Sequence, residues 1–81
     1  MESVTIVRVL ENQRLELTFD TGEVRIFDAS PYLEKGEFRR LKDPALFAQA
    51  FIGFGTVCWP GDLDIAPETL YDRSKAVETH P

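Results

Sequence analysis

Leu15-Glu16-Leu17-Thr18-Phe19-Asp20-Thr21-Gly22-Glu23-Val24-Arg25-Ile26-Phe27-Asp28 is the stretch on which the fold turns. Leu15, Leu17 and Phe19 alternate with Glu16, Thr18 and Asp20, and strand side chains repeat every two residues, so the three apolar groups share one face. Asp20-Thr21-Gly22-Glu23 reverses the chain. Val24 and Ile26 are then expected to resume the inward face, while Arg25 and Phe27 point the other way and Phe27 needs cover from a later element. Upstream, Val4-Thr5-Ile6-Val7-Arg8-Val9-Leu10 has apolar residues on both faces, which suits a strand covered on both sides or lying mid-sheet. Glu11-Asn12-Gln13-Arg14 links these two strands, with Asn12 suited to positive φ. Three short strands joined by tight turns predict an antiparallel meander.

After Asp28 the period changes, and the punctuation becomes a Pro preceded by a candidate cap: Ser30-Pro31, Asp43-Pro44 and Ala66-Pro67. Pro fits the first helical position, where its missing N–H would have no intrahelical partner. A short turn is expected from Ser30 through Leu33 to about Gly36. A longer helix is expected from Asp43, in which Phe47 and Phe51 share a face beside Leu46 and Ala50. Gly53 and Gly55 would end it, leaving Thr56-Val57-Cys58-Trp59 as a further strand stopped by Pro60-Gly61. The last helix should run from Pro67 to about Arg73, weakly capped because Ala66 has no side-chain oxygen. Residues 74–81 show no periodicity and read as a flexible tail after a single domain over 1–73. The fold class is α+β: a small antiparallel sheet with an N-terminal meander, one or two later strands, and short helices.

Composition narrows the function. At 81 residues, 43% hydrophobic, the chain has material for one core, and a domain of this size buries only about 60–65% of its unfolded surface. The net charge of −5 argues against direct nucleic-acid binding, which normally uses a basic face. Lys35, Arg39, Arg40 and Lys42 lie close together, but Glu34, Glu37 and Asp43 interleave with them. The single cysteine, Cys58, excludes an internal disulfide. An acidic, interrupted N-terminus unlike a signal peptide, and no apolar run long enough for a bilayer, give a cytoplasmic expectation with no membrane partner.

The search for chemistry is mostly negative. One Cys and one His, Cys58 and His80, are too few for a structural zinc, and no cofactor is expected. Asp62, Asp64, Glu68 and Asp72 crowd together, yet their spacing matches no calcium loop, so they read as surface or capping acids. Cys58 lacks a base to form its thiolate and reads as a core thiol. Gly53-Phe54-Gly55 follows a helical segment, the reverse of the strand-then-helix order of a dinucleotide fingerprint.

The order of pieces resembles a family of small bacterial proteins catalogued as domain of unknown function 2442, over nearly the whole chain. The carriers are Thr21-Gly22-Glu23 with Phe27-Asp28, Pro31-Tyr32-Leu33, Gly36-Glu37-Phe38 before Leu41, and Phe47. More diagnostic are Gly55-Thr56-Val57-Cys58-Trp59-Pro60-Gly61, Asp64-Ile65-Ala66-Pro67-Glu68 and Leu70-Tyr71. Ala66 and Glu68 depart from a small polar cap and an Asp in that family. The resemblance implies an α+β fold with an antiparallel sheet, and it names no reaction. Members look like stand-alone proteins encoded beside another small protein, and some are fused to a helix-turn-helix domain. Trp59, Pro60, Asp64, Pro67 and Tyr71 are the candidate interaction or signature residues, with no catalytic or metal-binding residue assigned. Trp59 is expected in the core, between the last strand and the Pro67 to Tyr71 helix, its indole N–H paired.

The functional expectation is a non-enzymatic module that binds another protein, antitoxin-like or accessory to a small neighbour. A DNA-associated regulatory accessory using Lys35 to Lys42 is the first alternative, and a small enzyme using Asp62 and Asp64 the second.

Overall fold

The computed structural model describes residues 2–77. Strands β1 (Val4–Leu10), β2 (Arg14–Phe19) and β3 (Val24–Asp28) form the expected antiparallel meander. Asn12 and Gln13 have φ of 61° and 60° in the three-residue connection between paired Leu10 and Arg14, so Asn12 adopts the positive φ its side chain suits. Register sets Val9, Leu15 and Phe27 in one row and Val7, Leu17 and Arg25 in the next. Residues directly opposite share a face, so the inward residues of β3 are Arg25 and Phe27, the reverse of the sequence expectation. Val24 lies opposite Thr18 across a five-residue connection. The length of that connection decides the parity, and a strand with apolar residues on both faces does not reveal it.

The expected short turn is a 3-10 helix at Ser30–Glu34. Its N-cap is Ala29, which has no side-chain oxygen to offer, and Asp28 Oδ1, one residue earlier, accepts from the Ser30 N–H at 3.0 Å and the Ser30 hydroxyl at 2.8 Å. A second 3-10 helix, Gly36–Lys42, leads to α1 (Pro44–Phe47), whose N-cap Asp43 accepts from the Ala45 N–H at 3.0 Å. There the longer helix fails to appear. α1 is a single turn, and Phe51 lies in a strand: β4 (Phe51–Gly53) folds back through Phe54-Gly55 into β5 (Thr56–Trp59), and Pro60-Gly61-Asp62 leads on to β6 (Leu63–Ile65). Phe47 and Phe51 do have helical spacing. The hairpin wins because Ile52, Val57 and Ile65 line up across its three strands, while Phe54 and Gly55, at φ 53° and 76°, make a two-residue type I′ turn whose twist suits the strands.

α2 (Pro67–Arg73) has the expected bounds and no side-chain cap at Ala66. The chain then does something the sequence does not suggest. β7 (Lys75–Ala76) pairs with β3, Ser74 is buried, and the Val77 N–H donates to Val24 O at 3.0 Å. Residues 74–77 are therefore part of the domain and correct the boundary at 73. Residues 78–81 of the expected tail lie outside the described residues.

Among the described residues the protein is an α+β fold with seven strands in two antiparallel sheets. Sheet 1 runs β1-β2-β3-β7 and sheet 2 runs β4-β5-β6. One apolar cluster joins them: Leu15, Leu17, Phe19 and Phe27 from sheet 1 meet Val57, Trp59, Leu63 and Ile65 from sheet 2. Leu33, Leu41, Phe47 and Leu70 from the helical segments complete it. The buried Thr56 hydroxyl donates to Ile65 O, and no buried side-chain polar atom among the described residues lacks a partner.

Candidate functional site

The five sequence-designated residues disperse. Trp59 is 1% exposed, stacks on Phe47 with ring centroids 5.8 Å apart, and donates its indole N–H to Phe47 O at 3.0 Å. Its paired N–H matches the expectation, but its hydrogen-bond and stacking partner is α1 rather than α2. Pro67 opens α2 half-buried. Tyr71 points to sheet 1. Pro60 and Asp64 remain together on the outer side of sheet 2, where, with part of Trp59, they help line a groove of about 300 Å³.

That outer side is built by strand alternation. Val57, Trp59, Leu63 and Ile65 face the core, so Cys58 and Asp64 must face outward. Phe51, Cys58 and Asp64 lie directly opposite one another across the three strands. Phe51 is 48% exposed and Phe54, at the hairpin tip, is wholly exposed. Phe54 also adopts φ 53°, a left-handed conformation that costs a side-chain-bearing residue about 1–2 kcal/mol. Asn or Gly is usual at this turn position because it avoids that cost. Cys58 is half-buried and donates weakly to Gly53 O at 3.5 Å. Burial, and then the neighbouring Asp64 charge, push its thiol pKa up. The group is held protonated, the opposite of what a nucleophilic thiol needs.

Charge is unevenly distributed along the sequence. Residues 43–72 hold Asp43, Asp62, Asp64, Glu68 and Asp72 and no Lys or Arg. They account for the whole net charge of −5, since acids and bases balance in the rest of the chain. The lining of the groove includes Asp62 and Asp64 and no basic residue.

A second polar cluster lies where α2 and β7 meet sheet 1. Arg25, its side chain 14% exposed, donates to Ser74 Oγ and Ser74 O at 2.7 Å each and pairs with Glu23 at 2.7 Å. Its guanidinium lies 4.2 Å from the centre of the Tyr71 ring, and the Tyr71 hydroxyl donates to the other Glu23 oxygen at 2.8 Å. The Tyr71 hydrogen bond, and then Arg25, hold the Glu23 carboxyl below its ordinary range, and the same Glu23 contact raises the phenol of Tyr71. Every member is satisfied within the cluster, which makes it a fastening for the C-terminal segment. A larger groove of about 640 Å³ beside the β1–β2 turn is lined by Leu10, Asn12, Leu41, Pro44 and Phe47 among others. Its charged lining residues are Glu11 and Lys42, and the latter pairs with Glu34 at 2.8 Å.

Sequence reasoning missed Phe51, Phe54, Arg25 and Ser74. The signal for the first two was present: Ile52 and Val57 flank a residue-plus-Gly pair, a hairpin pattern obscured by the helical spacing from Phe47.

The fold and this surface define a small two-sheet α+β domain in which, among the described residues, no three His, Cys, Asp or Glu side chains converge to hold a metal ion, and no helix is long and apolar enough to cross a membrane. The chain belongs to the family described as Protein of unknown function (DUF2442), whose model matches residues 4–76. No curated protein and no solved structure matches it significantly.

Proposed function

We propose that this protein is a non-enzymatic interaction module of the bacterial cytoplasm, antitoxin-like or accessory to a neighbouring small protein, which it meets through the outer face of sheet 2. Phe54 carries the reading. A bulky aromatic side chain held in a left-handed turn and wholly exposed brings local strain and unburied apolar surface, and nothing within the fold offsets either. Residues that disfavour the free chain in this way are understandable where an aromatic anchor is buried by a partner. The tied-back state of the basic segment supports the same choice over a DNA-associated role. Lys42 pairs with Glu34 at 2.8 Å, Arg39 donates to Glu34 O at 3.1 Å, and Arg40 donates to Gly61 O at 3.3 Å.

The test is co-purification from the native host of tagged wild-type chain and of Phe54→Ser. One small protein should accompany the wild type in stoichiometric amount and be lost from a variant that still melts as wild type does. A wild-type chain that elutes alone, or a partner retained by Phe54→Ser, would overturn the reading.

A further inference from the structure

Resting on that reading, we infer that the partner surface seated on sheet 2 presents an arginine flanked by apolar residues, whose guanidinium lies in the slot between Phe51 and Asp64 over Cys58. Three observations carry this. Phe51 and Asp64 flank Cys58 on the two neighbouring strands, so their backbones stand about 10 Å apart at ordinary strand spacing. That width accommodates a planar cation with a ring against one side and a carboxylate against the other. The walls differ in chemistry as such a cation requires: an aromatic face attracts it, and Asp64, with Asp62 beside it, accepts its hydrogen bonds. Arginine fits better than lysine because its flat, weakly hydrated head stacks and donates a fork of hydrogen bonds together.

The third observation is the charge of the groove itself, whose lining holds Asp62 and Asp64 and no basic residue. It opposes a second copy of this chain seated by the same face, which would bring the same two acids, and it opposes a polyanion. A purely apolar partner would bury Asp62 and Asp64 unpaired, at a cost that charged groups meet whenever they lose water without a partner. A cationic and apolar segment meets both halves of the surface, and the chain's net charge of −5 favours its approach.

The experiment is a backbone amide NMR titration of the full 15N-labelled chain with the peptide acetyl-Gly-Arg-Leu-Arg-Ser-amide, and with its counterpart carrying Glu in place of both Arg. With the Arg peptide, shifts should centre on Phe51, Phe54, Cys58 and Asp64, and should shrink as salt is raised well above about 0.15 M. The Glu peptide should leave these amides unmoved. Asp64→Asn should weaken binding about tenfold, the loss expected from one charge-assisted hydrogen bond. Its unchanged spectrum elsewhere would show that it folds. Equal shifts with both peptides, no shifts, or shifts centred on the groove beside Asn12 would overturn the inference. Shifts at these same amides that follow protein concentration without peptide would overturn it in favour of self-association. If the native partner is lost with Phe54→Ser while the Arg peptide fails to bind, the interaction reading stands and the cationic inference alone falls.

Discussion

Sheet 1 and sheet 2 are both short antiparallel arrays over one core, yet they treat their outlying groups in opposite ways. Sheet 1 draws a cation inward: Arg25, on the core face, is covered by the Tyr71 ring and bonded to Glu23 and Ser74. Those contacts fasten β7 along β3, whose edge would otherwise expose unpaired backbone groups. Sheet 2 turns aromatic rings outward at Phe51 and Phe54 and carries Asp62 and Asp64 in a groove whose lining holds no base. A polar group buried with every bond made serves the fold, whereas the exposed rings of Phe51 and Phe54 add no buried contact to it.

The sharpest way to break this contrast is to attack the core the two sheets share. Trp59→Ala removes the stack on Phe47 and the indole bond to Phe47 O, leaving that carbonyl only the Ala50 N–H, and should cost about 3–5 kcal/mol, as for other buried Trp truncations. In a domain with roughly 5–15 kcal/mol to spare, urea titration should show a variant barely folded. A variant that melts as wild type does would make Trp59 a bystander to the core.

Truncation after Arg73 separates a tail from a fastening. Loss of Ser74 and β7 leaves Arg25 with Glu23 alone, and losing hydrogen bonds to a buried charge should cost about 2–3 kcal/mol. The midpoint in urea should fall accordingly. An unchanged midpoint would restore the boundary at residue 73.

Phe54→Asn should move stability the other way. Asn tolerates the left-handed conformation and completes the favoured Asn-Gly pair with Gly55, so the variant should gain about 1 kcal/mol in urea while losing its partner. A variant destabilised by the change would show that the ring supports the fold after all.

The smallest effect is in pH. Because the folded-state pKa of Glu23 is lowered, its contribution is fully present above the ordinary carboxylate range and is lost as pH falls through the folded value. Tyr71→Phe removes the leading cause of that shift and should flatten the acid limb of the stability profile. In the wild type the raised phenol pKa acts in the opposite direction: stability should decline as pH rises past the ordinary tyrosine value of 10. Identical profiles for the two proteins would mean that the cluster contributes nothing to fastening α2 and β7.

Local rules were enough for the N-terminal meander, the one-turn start at Asp43 and the bounds of α2. Alternation at Leu15, Leu17 and Phe19, a carboxylate before Pro44, and Pro67 at a first helical turn each act over a few residues. The choice between helix and hairpin at Phe51 was not local, because residues 46–51 satisfy the helical period and residues 51–58 satisfy the hairpin. The row Ile52, Val57 and Ile65, completed by a strand the local pattern does not announce, decided it. Nor could alternation say which face of β3 is inward, since the register against β2 sets that parity. Residues 74–77 are ordered by partners far along the chain, Arg25 for Ser74 and Val24 for Val77. The candidate surface follows the same division: the sequence by itself determined its acidity, but it read Cys58 as a core thiol and Gly55 as the end of a helix. Only the tertiary structure placed Phe51, Cys58 and Asp64 in one row and left Phe54 uncovered, because strand pairing fixes which residues meet and core packing fixes which face is left to solvent.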